Sequence, residues 1–321
     1  MLGQLSLAGQ ASLPLPNMPK ILAIIQARMS SSRLPGKVLL DISGQPMLVR
    51  VISRTRKARA LDGIVVATTT DPADDLVERM CAEQGYPCYR GNPQDVLDRY
   101  YQAARIHGAD VVVRITGDCP VIDPEIIDAT VKIFFSEAES GFAATRLPPP
   151  WRRTLPIGLD VEVVSFASLE RAWKEADQPF HREHVMPFFY EGTPPDLQLL
   201  GRTPPSRRAS REEIDNGAVE LLAGDEGGDL PSPRWYVAHG TSLRGFKVAV
   251  LNHDPDYGDL RWTVDTQDDL TLLRQIFDHF PGCDTFPWQD ILALFEREPD
   301  LGRINSAVRH KDFRESEGQN R

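Results

Sequence analysis

The feature that most constrains the fold is an alternation of short apolar runs with amphipathic segments between residues 21 and 138. Short runs rich in β-branched residues are typical of buried strands. Such runs occupy residues 21–25, 63–70, 86–90 and 109–116. Apolar residues at helical spacing follow them at residues 47–60, 72–84, 94–107 and 124–138. This rhythm predicts an α/β fold in which helices cover both faces of a mostly parallel sheet.

The rhythm changes after a proline-rich loop that begins near residue 148. The pattern predicts further strands at residues 141–146, 159–164, 246–251 and 260–264, and further helices at 166–176, 267–280 and 288–298. Residues 193–239 are rich in Pro, Gly, Arg and acidic residues and predict a partly disordered surface insertion. We therefore expect one domain over residues 19–305, between a flexible tail at 1–18, where Met18 is an alternative start, and a polar tail at 306–321.

The composition excludes several classes of protein. The 321 residues carry 36 basic and 46 acidic side chains, a net charge of −10, which argues against a nucleic-acid-binding surface. No apolar run approaches the length of a membrane span, and the first residues make a poor signal peptide. The four cysteines lack CxxC or zinc-type spacing, as expected of reduced, mostly buried thiols in a cytoplasmic protein.

The first predicted strand ends in a segment rich in cations and small hydroxyl residues. Residues 28–37, here called the basic loop, contain Arg28, Arg33 and Lys37 around three serines. Ligands of open α/β sheets bind at the carboxyl ends of the strands, where such a loop can wrap a triphosphate. The chain has neither GxxxxGK[ST] nor a GxGxxG after this strand, so a P-loop and a dinucleotide site are not expected. An ordinary solvated loop remains the alternative on local composition.

Two acidic residues follow later predicted strands. Asp118 ends the run RITGD, and Asp265 ends RWTVD before a predicted helix. Carboxylates beside a triphosphate site are suitable ligands for Mg²⁺, although each residue alone is equally explained as a turn or helix-capping residue. The pair His181 and His184 has helical metal-ligand spacing, but no third ligand is evident, so local hydrogen bonding is the favoured interpretation.

These residues belong to a longer series of motifs with a family resemblance. The chain resembles the spore coat polysaccharide SpsF-type cytidylyltransferases, which are related to CMP-sugar-acid synthetases. In chain order the matching motifs are QARMSSSRLPGK with GQPML, ATTTDPADD, YRGNPQDVLDRY, RITGDCPVIDP, GLDVE, REHVMPFFY and LRWTVDTQDDL. The resemblance covers residues 19–305 and departs at residues 193–239, a segment longer than the family pattern leads us to expect.

The resemblance implies a GT-A-like nucleotidyltransferase with a three-layer α/β/α architecture. It implies an enzyme that uses CTP and Mg²⁺, transfers CMP to a sugar acid or phosphorylated sugar in glycan biosynthesis, and releases pyrophosphate. It also suggests a homodimer, without nucleic-acid or membrane partners. The acceptor itself remains open at this point.

The same resemblance assigns roles to individual residues. It implies catalytic roles for Arg28, Lys37 and Asp118, and metal binding by Asp118 and Asp265. The nucleotide-binding residues would be Gln26, Ala27, Arg28, Arg33, Lys37, Thr68, Thr69, Asp71, Arg90, Thr116 and Gly117. The residues facing the acceptor would be Asp160, Glu162, Arg182, Glu183 and His184.

Three alternatives stay open on the sequence. The enzyme could use another nucleoside triphosphate, because base choice rests on few contacts. It could be a metal-dependent glycosyltransferase, although such an enzyme needs a DxD-type pair after a strand and the acidic run at residues 71–75 opens a helix instead. It could also be a non-catalytic nucleotide-binding regulator, against which the presence of Asp118, Asp265 and the loop cations argues.

Overall fold

The computed structural model describes residues 18–136, 140–195, 197–199 and 234–309. These residues form one nine-stranded sheet, a small hairpin and helices on both faces of the sheet. The sheet strands are β1 (Ile21–Gln26), β4 (Gly63–Thr69), β5 (Cys88–Gly91), β6 (Val111–Thr116), β7 (Ser140–Ala144), β8 (Glu162–Ser165), β9 (Gln198–Leu199), β10 (Arg234–Thr241) and β11 (Lys247–Asp254), and the hairpin is β2 (Asp41–Ile42) with β3 (Gln45–Pro46). The helices are α1 (Met47–Thr55), α2 (Asp75–Gln84), α3 (Val96–His107), α4 (Pro124–Ser136), α5 (Phe166–Glu175), α6 (Pro179–His184), α7 (Pro187–Tyr190), α8 (Gln267–Asp278) and α9 (Trp288–Arg297).

The sheet is mixed, in the order β5-β4-β1-β6-β8-β7-β11-β10-β9. Strands β5, β4, β1 and β6 pair in parallel, as do β7 and β11. Only β8 and β10 run against the others among the described strands. The expectation of a mostly parallel sheet is confirmed, and the carboxyl ends of β1, β4 and β6 meet at one edge.

Side chains of β1 alternate between two apolar cores. Ala23 and Ile25 pack with residues of α1, α2, α4, α8 and α9, whereas Leu22 and Ile24 pack with residues of α3, α5 and α7. This alternation follows from the two-residue period of a strand, and it is possible here because every residue from 22 to 25 is apolar. The three-layer α/β/α arrangement is therefore confirmed.

Helix ends coincide with capping residues in the sequence. Asp95 accepts a hydrogen bond from the backbone N–H of Asp98 and begins α3, which ends at Gly108 with a left-handed φ of 65°. Thr266 and Asp269 form a capping box at the start of α8. In this box the Asp269 carboxylate accepts hydrogen bonds from the backbone N–H groups of Asp265 and Thr266, which precede the helix.

The strand predicted at residues 260–264 is wrong. This segment makes only an isolated bridge between Arg261 and Ile157. Its apolar pattern reflects burial instead, because Trp262 and Val264 are fully buried in the core. The Val264 N–H donates to the carbonyl of Asp118 at 2.9 Å, so the segment still leads to the same edge of the sheet.

The insertion predicted at residues 193–239 is too long at its carboxyl end. Strand β10 begins at residue 234 and pairs with β11 along its whole length. Residues 200–233 lie outside the described part. Residues 1–17 of the predicted N-terminal tail and residues 310–321 of the predicted C-terminal tail also lie outside it.

Cys81 and Cys119 are buried, Cys88 is half-buried and Cys283 is exposed. None of the helices in the described ranges has both the length and the apolar character of a membrane span.

Candidate active site

A pocket of about 660 Å³ opens at the carboxyl ends of β1 and β6. It is lined mainly by the basic loop and by the turn that follows β6. From the residues singled out in the sequence it brings together Gln26, Ala27, Arg28, Arg33, Lys37, Thr116, Gly117, Asp118 and Asp265. The three serines of the basic loop and Val38 complete the lining.

The basic loop is held by backbone contacts of its own. The Gly36 N–H donates to the carbonyl of Met29 at 2.8 Å and closes the loop on itself. Gly36 has a left-handed φ of 72°, which favours glycine, and directly precedes the 3-10 helix Lys37–Leu39. The serines and arginines of the loop line the pocket, and so does Lys37, whose side chain is buried.

Gly117 allows the turn after β6 to pass close to β1. Its N–H donates to the carbonyl of Gln26 at 2.8 Å. A Cβ at this position would lie 2.9 Å from that carbonyl oxygen and 3.1 Å from the Cβ of Ala27. Glycine is therefore required for the close approach that brings Asp118 to the basic loop.

Lys37 lies between two carboxylates. Its Nζ is 2.8 Å from Oδ2 of Asp118, 2.8 Å from Oδ1 of Asp265 and 2.7 Å from the carbonyl of Val264. Only 10% of the Lys37 side chain is exposed. Burial alone would lower the pKa of this ammonium, but the two carboxylates outweigh it and raise the pKa above its ordinary value.

Asp265 is also held by arginines. Its Oδ2 lies 2.8 Å from Nη2 of Arg33 and 2.7 Å from Nη2 of Arg261. Burial would raise the pKa of Asp265, yet Lys37 and the two arginines hold it well below its usual range. This carboxylate is ionised at any physiological pH.

A second layer of contacts fixes the position of Asp265. The buried Asp269 carboxylate accepts from Arg261 and from the backbone N–H groups of Asp265 and Thr266. The Asn305 side chain donates to Asp269 at 2.9 Å and to the carbonyl of Arg261 at 3.0 Å. The end of the described chain therefore contributes to the shape of the pocket.

Arg28 is the exposed cation of the basic loop. It lines the pocket and, within the described part of the chain, has neither a hydrogen-bond nor an ion-pair partner. Its guanidinium is available for an anionic ligand.

The carboxylates of Asp118 and Asp265 fit Mg²⁺ that is held together with phosphate. Within the described ranges no group of three or more His, Cys, Asp or Glu side chains is arranged to bind a metal. Mg²⁺ in nucleotide sites is commonly bound by one or two carboxylates, by phosphate oxygens and by water. Two carboxylates beside a cationic pocket match that donor set.

The residues expected near the base and ribose lie at the end of β4, in the turn that follows it and in β5, outside the pocket lining. Thr68 and Thr69 are buried, whereas Asp71 accepts from the N–H of Ala73 and caps the 3-10 helix Pro72–Asp74. Arg90 donates to the carbonyls of Thr69 and Asp71 and pairs with acidic residues of α2. In this structure the role of Arg90 is to fix the turn.

Asp160 and Glu162 lie in a cluster of arginines. Oδ1 of Asp160 is 2.5 Å from Nη1 of Arg153, and its Oδ2 is 3.4 Å from Nε of Arg146. Glu162 pairs with Arg114, whose Nη2 lies 3.3 Å from Oε1 of Gln26 in the pocket wall. We call these five charged residues the arginine cluster. It carries one positive charge in excess and adjoins the pocket through Gln26.

Arg182, Glu183 and His184 lie on α6, which packs against α3 and does not line the pocket. Arg182 donates to Asp95 at 2.6 and 2.9 Å and to the carbonyl of Trp173. Glu183 is exposed and His184 is half-buried. None of these three residues belongs to the pocket lining, and neither do Asp160 and Glu162.

Several residues of the site were missed in the sequence. Asp74 accepts from the backbone of the basic loop, and the pair Arg261 and Asp269 supports Asp265. Two arginines of the arginine cluster were also missed: Arg114, which contacts Gln26 in the pocket wall, and Arg146, which pairs with Asp160. The four-residue spacing from Arg261 to Asp265 is a weak signal, and the other contacts depend on the tertiary fold.

Known proteins resemble this chain over most of its length. A family model described as cytidylyltransferase matches residues 22–213. The spore coat polysaccharide biosynthesis protein SpsF of Bacillus subtilis is 38% identical, over 52% of this chain and 69% of that protein. A 3-deoxy-manno-octulosonate cytidylyltransferase of Anaeromyxobacter sp. (strain Fw109-5) is 32% identical, over 62% of this chain and 83% of that one.

A solved structure agrees with the sequence matches. A cytidylyltransferase from Leptospira borgpetersenii serovar Hardjo-bovis superposes with a TM-score of 0.69 at 25% identity, covering 91% of this chain and all of that one (100%). The region that the family model matches contains the basic loop and Asp118. The family resemblance of the motifs is confirmed, and this chain belongs to the cytidylyltransferase family.

Proposed function

We propose that this protein transfers CMP from CTP to a hydroxyl group of an anionic sugar, a sugar acid or a related acceptor, in surface glycan biosynthesis. The observation that carries the proposal is the convergence of Arg28, Arg33 and Lys37 with Asp118 and Asp265 in one pocket. Family membership supports the use of CTP. The two curated relatives, a spore coat polysaccharide protein and a sugar-acid cytidylyltransferase, support the acceptor class.

Different parts of the pocket bind different parts of CTP. Gln26, Ala27 and Gly117 line the end of the sheet and accommodate the nucleotide without bulky side chains. The cations of the basic loop bind the triphosphate, because guanidinium groups pair with phosphate oxygens through two parallel hydrogen bonds. Asp118 and Asp265 are the residues that would hold Mg²⁺.

The reaction replaces one phosphorus–oxygen bond with another. The acceptor oxygen forms a bond to the α-phosphorus, the bond from that phosphorus to the bridging oxygen breaks, and pyrophosphate leaves with the electron pair. The hydroxyl proton is lost to water. Mg²⁺ bound by Asp118 and Asp265 would supply neutralisation of the charge that builds on the departing phosphates. Arg28, Arg33 and Lys37 orient the triphosphate and stabilise the same charge, so catalysis rests on positioning and electrostatics.

The arginine cluster supplies recognition of an anionic acceptor. Within the described part of the chain, the buried Nε atoms of Arg114 and Arg146 make no hydrogen bond, and that of Arg146 has only an ion-pair contact with Asp160 at 3.4 Å. Asp160 and Glu162 hold these guanidinium groups in place, and the excess positive charge favours a carboxylate or phosphate on the acceptor. For Arg182, Glu183 and His184 we propose contacts with parts of the acceptor that lie farther from the pocket.

Release of pyrophosphate tests the proposal. The wild-type enzyme is incubated with CTP, Mg²⁺ and a panel comprising 3-deoxy-manno-octulosonate, other sugar acids, phosphorylated sugars and neutral sugars. We expect release with at least one anionic sugar and none with neutral ones. Release that depends on neutral sugars alone would contradict the proposed acceptor class.

A variant of the arginine cluster locates the acceptor site. Arg146→Met should raise the KM for the anionic acceptor by about 10-fold or more, the loss expected for one charge-assisted hydrogen bond, and leave the KM for CTP unchanged. Arg59→Met is the matched control, since the Arg59 side chain is 87% exposed. Equal acceptor KM values in the two variants would remove the arginine cluster from acceptor binding.

A further inference from the structure

The acid pair of the pocket is neutralised by the protein's own cations. Three carboxylates and three cations form one connected group that ends at Asp269. The carboxylates are Asp118, Asp265 and Asp269, and the cations are Lys37, Arg33 and Arg261. The formal charges of this group cancel.

Lys37 holds the central position in the group. Its Nζ lies within 2.8 Å of an oxygen of each pocket carboxylate, the place that a cation bridging Asp118 and Asp265 would take. The backbone of the 3-10 helix Lys37–Leu39 fixes the start of this side chain, and the carbonyl of Val264 accepts its third hydrogen bond. The ammonium is therefore fully hydrogen-bonded in the free protein.

We propose that Lys37 is an internal counter-ion, which excludes a divalent cation from Asp118 and Asp265 until a nucleotide arrives. This inference rests on the proposed function. A divalent cation entering alone would add two positive charges to a balanced, partly buried group and would displace the Lys37 ammonium from its three acceptors. Both consequences disfavour metal binding.

A triphosphate changes this balance, because it brings negative charge into the same pocket. Lys37 and Arg33 exchange their carboxylate partners for phosphate oxygens, and Arg28 adds a third cation that has no partner among the described residues of the free protein. The carboxylates released by this exchange then bind the cation. Metal and nucleotide binding are thus coupled, and by linkage each increases the affinity for the other.

Binding of Mn²⁺ to the nucleotide-free, full-length protein tests the inference. The electron paramagnetic resonance signal of free Mn²⁺ reports how much metal remains unbound. We compare the wild type with Lys37→Met, which removes the ammonium and keeps an unbranched side chain that is one heavy atom shorter. Lys57→Met is the matched control, since Lys57 is exposed.

We expect Lys37→Met to bind Mn²⁺ about 10-fold or more tightly than the wild type and the Lys57→Met control, a ratio within the usual range for coupled sites. Mn²⁺ should also raise the melting temperature of Lys37→Met in the absence of nucleotide, but not that of the wild type. Equal Mn²⁺ affinity in Lys37→Met and the wild type would overturn the inference.

Measurements on natural side chains keep the inference testable if Lys37→Met does not fold. In this experiment Mn²⁺ binding to the wild type is measured with and without CTP, and Asp118→Asn shows whether the metal binds at this site. The inference is overturned if the nucleotide-free wild type binds Mn²⁺ at Asp118 as tightly as it does with CTP present. If the nucleotide-free wild type shows no such binding, the counter-ion role is supported. The rise of the wild-type melting temperature with CTP and Mg²⁺ is a separate measurement. It tests the proposed function independently of the counter-ion role of Lys37.

Discussion

The backbone N–H of Met29 donates a 2.6 Å hydrogen bond to Oδ1 of Asp74, which joins the basic loop to the turn after β4. Oδ2 of the same carboxylate accepts from the N–H and the hydroxyl of Thr69. Asp74 is only 2% exposed. One buried carboxylate thereby fixes two loops that meet beside the pocket.

Asp74→Ala should therefore impair both CTP binding and stability. It leaves two backbone donors and one hydroxyl without their acceptor, which costs about 1–3 kcal/mol of unfolding free energy for each group that stays buried. We expect the KM for CTP to rise about 10-fold as the basic loop loses its anchor. Steady-state kinetics and urea denaturation measure the two effects. Asp300→Ala is the control, because the Asp300 side chain is 86% exposed, and a comparable loss in that variant would contradict the anchoring role.

Asp118→Ala should abolish Mg²⁺-dependent turnover while the fold stays intact. Removing a group that stabilises charge in a transition state typically costs about 10²–10³-fold in kcat, and a metal ligand falls in or beyond that range. Lys37 keeps Asp265 as a partner in this variant, so its ammonium remains paired. Pyrophosphate release and circular dichroism provide the measurements, with the highly exposed Asp300→Ala as control. Turnover near the wild-type level would refute the metal assignment.

Gly117→Ala should disturb the site through the backbone. The added methyl group would lie 2.9 Å from the carbonyl oxygen of Gln26, so β1 and the turn after β6 must separate. We expect a loss of about 1–3 kcal/mol in stability, as for other overpacked positions, together with weaker CTP binding. In Gly302→Ala the nearest contact is an ordinary 3.7 Å to Phe295, so this control should behave like the wild type. Equal stability of both variants would contradict the close approach.

Acid stability should depend on His253. Burial among Trp235, Tyr257 and Trp288 lowers the pKa of His253 to about 4. The unfolded chain therefore takes up the proton first, and the contribution of the neutral imidazole is complete above about pH 6.5 and is lost as the pH falls toward 4. Over this window the wild type should lose about 3 kcal/mol more than His253→Gln.

Urea denaturation at a series of pH values measures this difference. His279→Gln is the control. A hydrogen bond to the carbonyl of Gln275 raises the pKa of His279, so the contribution of His279 to stability changes with pH in the opposite direction. Parallel pH profiles for the wild type and His253→Gln would show that His253 does not contribute to acid destabilisation.

Local pattern predicts the sheet and the basic loop because both are encoded in contiguous residues. The apolar residues 22–25 face two cores, which only a central strand can do, and Asp118 is separated from the end of β6 by Gly117 alone. The strand predicted before Asp265 is wrong because a buried loop and a buried strand share the same apolar pattern. Trp262 and Val264 are buried by the core without pairing in the sheet.

Contacts between distant segments are beyond such patterns. Asp71, Asp74 and Asp75 share one short run, and only the fold shows that Asp74 turns inward to the basic loop. The insertion of β8 between β6 and β7 brings Glu162 to Arg114, which are 48 residues apart. Pairings of this kind depend on sheet order, which local periodicity does not specify.

Thermal stability of the purified protein with CTP, UTP, GTP or ATP, each with and without Mg²⁺, tests the central claim most directly. A ligand that binds only the native state raises the melting temperature by mass action. We predict a rise with CTP that requires Mg²⁺ for its full extent, and no comparable rise with the other three nucleotides. A rise with another nucleotide but not with CTP, or no rise with any of them, would contradict the account.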